Sequence, residues 1–367
     1  MDASFDSAMM RRAISLARKG QGHVSPNPMV GAVLVRDGRV IATGYHHRHG
    51  AAHAEVDALS SIGFQAAGCT LYVTLEPCCH QGMTPPCTSS VISSGVRRVV
   101  VGMVDPNPVV SGRGIARLQE AGIDVTVGVL GDECLELNRG FARWIVTGRP
   151  WVTLKMAVTL DGRSSGTKGP SGRITGEAAR LDVLRLRAAS DCVMVGGNTV
   201  LSDDPLLLAD RRANRGNPIR AVVSTGGNLP PDSRLIDSTS NGRVILLAGS
   251  DVSSSRLEEL SRSSVEVVQL PIVDGLVDMD SAIAALGAMR VTSVLVEGGH
   301  RLAASLLKAS LVDRLVIYYA PLLLGDNGAP GICADLGIDL PADSLRFRTI
   351  SLRRVGEDVR MDLEPLR

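Results

Sequence analysis

Two short stretches constrain the fold and chemistry of this chain more than any other part of it. The first is His53-Ala54-Glu55, and the second runs from residue 77 to residue 87 with the sequence PCCHQGMTPPC. Together they supply an imidazole, a carboxylate and several thiols. A zinc ion that activates water is held by three protein ligands and keeps a fourth position open, and a nearby carboxylate is suited to moving the protons. A working fold must therefore bring these two stretches together.

The order of the residues in these stretches fits one type of zinc site. An H-x-E motif followed by Pro-Cys and a further Cys is the signature of zinc-dependent deaminases. We therefore predict that His53, Cys78 and Cys87 hold zinc and that Glu55 is the catalytic proton carrier. Eight residues separate the two cysteines in place of the usual two, so the longer loop must return to the same ion. Cys78 is preferred because it directly follows a proline; Cys79 is the alternative ligand.

The predicted secondary structure places both halves of the motif at helix starts. His53 opens one predicted helix and Cys87 opens another, and the partial positive charge at a helix N-terminus favours a thiolate there. Strands alternate with short helices on both sides of a joint at residues 147–150. This alternation is typical of α/β proteins with a partly parallel sheet covered on both faces. A single helix is predicted from residue 135 to residue 146, just before the joint.

The length of the chain predicts two domains. With 367 residues, the chain is too long for one ordinary hydrophobic core. We place the boundary at the Gly-Arg-Pro joint, which gives a first domain of residues 1–147 and a second domain of residues 148–367.

Composition narrows the range of partners and compartments. The net charge of +1 and the aromatic content of 3% disfavour nucleic acid, whose binders carry basic patches and rings on which bases stack. No apolar run reaches the ~18 residues of a membrane span, and the first residues lack the regions of a signal peptide. Seven cysteines, an odd number, do not suggest a disulfide framework. We expect a cytoplasmic protein with a small-molecule substrate and no nucleic-acid or membrane partner.

Further segments agree with the zinc motif and extend beyond it into the second half of the chain. They are SPNPMVG at 25–31, GYH at 44–46, HAE at 53–55, TLEPC through TPPC at 74–87, DPNP at 105–108, KMA through LDGR at 155–163, DDP at 203–205 and VEGG at 296–299. In this order, and over nearly its full length, the chain resembles the bifunctional deaminase–reductases of riboflavin biosynthesis.

The resemblance implies an α/β protein of two domains, the N-terminal one similar to cytidine deaminase and the C-terminal one similar to dihydrofolate reductase. The first would hydrolytically deaminate 2,5-diamino-6-(5-phosphoribosylamino)pyrimidin-4-one with the help of Zn²⁺. The second would use NADPH to reduce the ribosyl group to a ribityl chain, without the G-x-G-x-x-G loop of Rossmann folds. We also expect a homo-oligomer.

The resemblance also implies roles for individual residues. In the first domain, Asn27, His46 and His80 would help to hold the substrate. In the second, the residues facing the substrate would be Lys155, Ser171, Arg187, Leu207, Arg211 and Glu297. The NADPH contacts would come from Ala157, Arg173, Thr199, Asp203, Thr225, Gly299, His300, Arg301, Leu302, Ala303, Ala304 and Ser305, the last seven forming a turn and helix start suited to a phosphate.

Two positions depart from the family pattern. Met83 stands where the family carries an Arg or Lys that would suit a substrate phosphate. Asp210 stands where an Arg is expected, so Arg211 and Arg212 would have to act from a shifted loop. Two other hypotheses stand beside this one. The first is a deaminase of nucleic acid or free nucleosides with an unrelated C-terminal module. The second, which Asp210 keeps open, is a deaminase whose C-terminal domain only binds nucleotide or mediates oligomers.

Overall fold

The structure is a computed structural model, and it describes residues 3–82, 85–167, 172–210 and 217–366. The chain divides into two compact units, Met1–Gly148 and Arg149–Arg367.

The first unit alternates helices and strands in the way the sequence pattern predicts. In chain order its elements are α1 (Ala3–Ala17), a 3-10 turn (Arg18–Gly20), β1 (Gly31–Arg36), β2 (Arg39–Tyr45), α2 (Ala54–Ser60), β3 (Thr70–Leu75), α3 (Cys87–Ser93), β4 (Arg98–Met103), α4 (Arg113–Glu120), β5 (Asp124–Val127), α5 (Gly131–Leu137) and α6 (Arg139–Thr147).

The sheet of the first unit is covered on both faces. Its strand order is β2-β1-β3-β4-β5; β1 pairs antiparallel with β2 and β3, and the β3–β4 and β4–β5 pairs are parallel. Successive side chains of a strand point to opposite faces, and two separate clusters result. Leu34 and Leu71 pack on one side with α2, and Val33 and Tyr72 on the other with α1. The sheet therefore holds the strand ends in fixed register beneath the helices.

The helix predicted from residue 135 to residue 146 is in fact two helices. Asn138 separates α5 from α6 and has φ −116° and ψ 19°, well away from helical values. Its buried side chain accepts a hydrogen bond from the Met29 N–H (2.8 Å) and donates one to the Met29 carbonyl (2.9 Å). The chain bends here because the Asn138 amide satisfies both backbone groups of Met29.

The second unit contains more elements than the sequence pattern indicates. They are β6 (Trp151–Val158), α7 (Glu177–Ala189), β7 (Cys192–Gly196), α8 (Gly197–Asp203), β8 (Ile219–Ser224), α9 (Arg234–Asp237), a 3-10 turn (Thr239–Asn241), β9 (Val244–Gly249), α10 (Ser254–Arg262), β10 (Glu266–Leu270), β11 (Ile272–Val273), β12 (Leu276–Val277), α11 (Met279–Ala288), β13 (Ser293–Glu297), α12 (His300–Lys308), β14 (Arg314–Tyr319), a 3-10 turn (Pro341–Asp343), β15 (Phe347–Val355) and β16 (Asp358–Pro365).

The nine-stranded sheet of the second unit is parallel over most of its width. Its order is β10-β9-β8-β7-β13-β6-β14-β16-β15, and only the pairs formed by β16 are antiparallel. Strand β6 alternates half-buried and fully buried residues, and its buried set lies in the largest apolar cluster. A second cluster forms on the other face around Val193, Val222 and Leu246. The carboxyl ends of the parallel strands lie at one edge, where α/β sheets bind ligands.

Besides the two 3-10 turns, four elements of this unit were not predicted: α8, α9, β11 and β12. Helix α8 begins directly after β7, at a Gly-Gly pair that the sequence indicates only as a turn. Across the described ranges, no helix combines the length and apolar character needed to cross a bilayer.

Candidate active sites

The two stretches that carry the metal motif meet in the first unit. His53 is the residue directly before α2, and Cys87 is the first residue of α3. Cys78 lies three residues beyond the end of β3. The strand β3 is buried along its whole length, and it therefore fixes the start of the loop that carries Cys78.

Three side chains converge on one point. The His53 Nδ1 atom lies 3.0 Å from the Cys87 Sγ atom and 3.6 Å from the Cys78 Sγ atom. The backbone N–H of Cys87 donates a hydrogen bond to Cys78 Sγ, at 3.4 Å. The three ligand atoms lie within 4.8 Å of one another, and among the described residues they are the only such group of His, Cys, Asp and Glu side chains. Cys79 is not part of the group.

The geometry of this group fits zinc. With Zn–N near 2.1 Å and Zn–S near 2.3 Å, a tetrahedral ion separates its ligand atoms by roughly 3.5–3.8 Å. The 3.6 Å separation of His53 Nδ1 from Cys78 Sγ lies in that range, while the 3.0 Å separation from Cys87 Sγ is shorter. One nitrogen and two sulfur donors also match catalytic zinc sites, which leave the fourth position to water or substrate.

Glu55 lies beside the group and is 3% exposed. Burial raises the pKa of its carboxyl to about 7, while the charge of His53 acts in the opposite direction. The Cys87 thiol is hydrogen-bonded to this carboxyl. Glu55 can therefore both hold and release a proton near neutral pH, which is what a proton carrier requires.

The two thiols have opposite pKa shifts. The hydrogen bond from Cys87, followed by that from His53, lowers the pKa of Cys78 to about 4 against the effect of burial. The same bond, with burial, raises the pKa of Cys87. The hydrogen bond to Cys78 also raises the pKa of His53. These shifts favour the thiolate form of Cys78, which suits the site to a cation.

Of the three residues predicted to hold the deaminase substrate, His46 contacts this group and Asn27 contacts His46. The Asn27 Nδ2 atom lies 3.2 Å from His46 Nε2, and His46 Nδ1 lies 3.0 Å from the Ala52 carbonyl oxygen. The rings of His46 and His53 meet edge to face, with their centroids 5.4 Å apart. His80 has a buried Nδ1 without a hydrogen-bond partner among the described residues.

A cleft of about 330 Å³ opens at the carboxyl edge of the large sheet in the second unit. It is bordered by the ends of β7 and β8 and by the start of α12. The cofactor residues predicted from the sequence that line it are Thr199, Thr225, Gly299, His300, Arg301, Leu302 and Ser305. Gly299 has φ 76°, a left-handed conformation that favours glycine, and it turns the chain into α12.

Lys155, Arg187 and Glu297 form a second group in this unit. Lys155 and Glu297 are register partners on the neighbouring strands β6 and β13. Arg187, from α7, donates two hydrogen bonds to the Glu297 carboxylate, at 2.5 and 2.9 Å. Although burial opposes it, the Arg187 charge lowers the pKa of Glu297, and burial lowers the pKa of Lys155. Arg187 is thus held in an ion pair and is not a freely solvated helix residue.

The remaining predicted residues of the second unit lie elsewhere. Ala303 and Ala304 are buried in α12 and do not line the cleft. Ala157 packs against the apolar cluster around Tyr318, and Leu207 is buried with φ 54°. Arg173 pairs with Glu177 (3.6 Å) at the surface, and Asp203 ends α8. Ser171 and Arg211 lie outside the described residues, and so does Met83 of the first unit.

Several residues that sequence reasoning missed lie in these sites. Asn198, Gly226, Asn228 and Met279 line the cleft; the turn residues around 226–228 directly after a predicted strand were the available signal. The Tyr318 ring lies 5.8 Å from Lys155 Nζ. No sequence signal identifies that contact, because it joins two strands that are distant in the chain.

The folds and the two sites together define a two-domain enzyme with a zinc-dependent deaminase domain followed by a reductase domain. Two family models match the chain. The model for the cytidine and deoxycytidylate deaminase zinc-binding region matches residues 3–103, and the model for the RibD C-terminal domain matches residues 150–361.

Relatives match over almost the whole chain. The riboflavin biosynthesis protein RibD of Escherichia coli K12 is 41% identical, covering 98% of this chain and 99% of its own length. The RibD protein of Aquifex aeolicus is 38% identical, with 98% of both chains covered.

Two solved structures also match over almost the whole chain. RibD of Acinetobacter baumannii superposes with a TM-score of 0.89, at 36% identity and with both chains covered completely. A Thermotoga maritima diaminohydroxyphosphoribosylaminopyrimidine deaminase/5-amino-6-(5-phosphoribosylamino)uracil reductase gives a TM-score of 0.86 at 34% identity, with 99% of each chain covered.

The chain belongs to the RibD family. It is a bifunctional enzyme of riboflavin biosynthesis, with a zinc-binding deaminase domain and an NADPH-dependent reductase domain. The α/β fold prediction is confirmed. The full-length matches favour two activities over either alternative hypothesis.

Proposed function

We propose that the chain deaminates 2,5-diamino-6-(5-phosphoribosylamino)pyrimidin-4-one and then reduces the ribosyl group of the product to a ribityl chain. The observation that carries this proposal is the convergence of His53, Cys78 and Cys87 beside the buried Glu55. The names of the two activities of the Thermotoga relative support the choice of substrate.

In the deaminase domain, His53, Cys78 and Cys87 are the zinc ligands. When bound, zinc lowers the pKa of a water molecule so that hydroxide is available at neutral pH. With zinc in place, the Glu55 carboxyl would accept a proton and pass it to the departing amine. Asn27, His46 and His80 hold the pyrimidine, and the Ala52 carbonyl fixes the orientation of the His46 ring.

In the reductase domain, the cleft between β7, β8 and α12 takes NADPH, and the backbone N–H groups at the start of α12 suit a phosphate. Lys155, Arg187 and Glu297 face the ribose side of the substrate. The family resemblance assigns further substrate contacts to Leu207 and to Ser171 and Arg211, the last two outside the described residues. Glu297 stays ionised because Arg187 pairs with it. The Glu297 carboxylate in turn orders Arg187 and Lys155 around a phosphorylated, hydroxyl-rich ligand.

The remaining assignments concern the domain boundary, the compartment and the assembly. We keep the boundary proposed from the sequence, between residues 147 and 148, one residue before the division of the two compact units. All seven cysteines are free thiols, which supports a reducing, cytoplasmic location. A homo-oligomer is supported by β15, an edge strand that exposes Ile350 and Leu352; light scattering of the purified protein would test it, and a monomer at micromolar concentration would refute it.

One experiment tests both reactions. The purified protein is given the diamino substrate and NADPH, and ammonia release is followed together with the absorbance of NADPH. We expect ammonia to appear first and NADPH to be consumed only afterwards. Ammonia without NADPH oxidation at saturating substrate would refute the reductase assignment, and NADPH oxidation without ammonia would refute the order.

A further inference from the structure

The carboxylate of Glu76 has an unusual set of partners for a buried acidic group. Glu76 is 3% exposed and directly follows β3. Four backbone N–H groups donate to it: Gly114 (2.8 Å) and Ile115 (3.2 Å) to Oε1, and Gly112 (2.9 Å) and Asp105 (3.1 Å) to Oε2. No side-chain cation bonds to it in the part of the chain that the structure describes, so backbone dipoles alone compensate its charge.

These four N–H groups belong to two separate segments. Asp105 lies in the loop after β4, while Gly112, Gly114 and Ile115 surround the start of α4. The N–H groups of a first helical turn have no partner within the helix, and an anion there is further favoured by the helix dipole. Glu76 therefore ties the end of β3 to the following loop and to α4 at a single point.

The same point lies against the backbone that leads to the metal group. A Cβ atom added to Gly114 would lie 2.1 Å from the Pro77 carbonyl oxygen and 3.1 Å from Glu76 Oε1. Real Cβ atoms never approach so closely, so the start of α4 packs directly on Pro77. On the other side, the Cys78 carbonyl accepts a hydrogen bond from the Thr88 N–H (3.1 Å), and Cys78 Sγ accepts one from Cys87 N–H.

We propose that Glu76 is a positioning residue for the zinc site: through Pro77, it fixes the place of the Cys78 thiolate relative to His53 and Cys87. The inference rests on the proposed zinc ligands and extends them to the group that holds one of them in place. Residues that support metal ligands in this way typically change metal affinity by about 10–100-fold when they are replaced.

A second buried carboxylate in the same unit provides a matched control. Asp6 accepts hydrogen bonds from Tyr72 Oη (2.7 Å) and from Arg98 (2.8 and 3.0 Å). It lies in α1, the helix that packs on the sheet face opposite α2. Asp6→Asn should destabilise the fold without affecting the zinc site.

The test compares the full-length native protein with Glu76→Gln, Gly114→Ala and Asp6→Asn. Zinc release to a coloured chelator gives the dissociation rate, and the visible absorption of the cobalt(II)-substituted protein reports the geometry of the thiolate ligands. Thermal unfolding of each variant measures the general loss of stability. We expect Glu76→Gln and Gly114→Ala to release zinc about 10–100-fold faster and to shift the cobalt spectrum. Asp6→Asn should lower only the unfolding temperature.

Two results would overturn this inference but leave the proposed zinc site intact. One is unchanged zinc release and an unchanged cobalt spectrum in Glu76→Gln. The other is faster zinc release and a shifted cobalt spectrum in Asp6→Asn. If Glu76→Gln does not fold, Gly114→Ala provides the test, because it moves Pro77 without removing the Glu76 carboxylate. Unchanged zinc release and an unchanged cobalt spectrum in Gly114→Ala would refute the positioning role. A native protein that takes up no zinc would instead overturn the proposed site, and the inference with it.

Discussion

Glu55 in the first unit and Glu297 in the second are both buried carboxyl groups, yet their surroundings give them opposite properties. Glu55 is 3% exposed, and burial raises its pKa to about 7. Glu297 is 8% exposed, and despite its burial the charge of Arg187 lowers its pKa. Burial alone thus does not determine the protonation state of a carboxyl group; the charges and hydrogen bonds around it count as well.

The difference matches the two kinds of chemistry in this enzyme. A carboxyl with a pKa near neutrality can exchange protons in each catalytic cycle. A carboxylate locked in a two-point ion pair with an arginine remains charged and serves as a fixed anchor. In the proposed mechanism, the deaminase unit has a carboxyl group that moves protons, whereas the reductase unit has one that holds other groups in place.

The strongest test of the comparison is Glu55→Gln. The amide keeps the size of the side chain but cannot carry a proton, so deamination should fall by roughly 10²–10⁴-fold, while zinc content stays near one per chain. Ammonia release and metal analysis measure the two effects, and NADPH oxidation with the deaminated product serves as the internal control. Substantial residual deamination would show that Glu55 is not the proton carrier.

The corresponding change in the second unit is Glu297→Gln. It removes the charge that orders Arg187 and Lys155, so the KM of the reductase for the deaminated product should rise roughly tenfold or more, equivalent to about 1.4 kcal/mol. Glu364→Gln is the matched control, because Glu364 forms a similarly buried pair with Arg314 at 2.8 Å. An equal rise in KM in both variants would mean that the effect is general loss of structure.

The lowered pKa of Glu297 also predicts a pH dependence of stability. A carboxyl group whose pKa is lower in the folded chain stabilises the fold above its unfolded pKa and loses that contribution as pH falls through the folded pKa. The difference in unfolding free energy between native protein and Glu297→Gln should therefore persist at neutral pH and disappear only below the ordinary Glu value of about 4.3. Denaturant titrations at several pH values would measure it; a difference that vanishes nearer pH 7 would contradict the assigned shift.

A smaller effect is expected in the cofactor cleft. Thr225 lines it, and its hydroxyl accepts a hydrogen bond from the Val277 N–H at 3.2 Å. Thr225→Val removes this bond, a loss of about 1 kcal/mol, so the KM for NADPH should rise only severalfold. Thr126→Val, in the first unit, removes an acceptor for Arg98 and should leave that KM unchanged. An unchanged KM for NADPH in Thr225→Val would mean that NADPH binds outside this cleft.

The smallest effect is expected for Cys79→Ser. Cys79 does not belong to the metal group, so zinc content should stay near one per chain, whereas Cys78→Ser should lose the metal. Metal analysis of the two variants, prepared in parallel, shows which of the two neighbouring thiols binds zinc. Loss of zinc from the Cys79 variant would reverse the ligand assignment.

The sequence was most informative where residue type and spacing carry the chemistry. His53, Glu55, Cys78 and Cys87 could be named because few other combinations hold zinc and move protons. Strands such as β3 and β6 are runs rich in apolar residues and bounded by turn residues, a pattern that the sequence alone indicates. Glu76 gave no such signal, since its four partners are backbone groups from segments that only the fold brings together.

Other features depended on contacts that are remote in the sequence. The division between α5 and α6 follows from the bond of Asn138 to Met29, more than a hundred residues earlier in the chain. Helix α8 was not predicted, because the glycines at its start are typical of a turn when only neighbouring residues are considered. The pairing of Arg187 with Glu297 joins a helix face to a strand end, and no local pattern encodes it.

The bond between Asn138 and Met29 bears on where the deaminase can be separated from the rest of the chain. The deaminase family model ends at residue 103, but the compact unit continues to Gly148. Asn138 lies beyond the first limit and fixes the backbone two residues from Asn27, in the proposed substrate site. A minimal deaminase cut at the family boundary would therefore lose part of its own active-site support, and a functional cut belongs after α6.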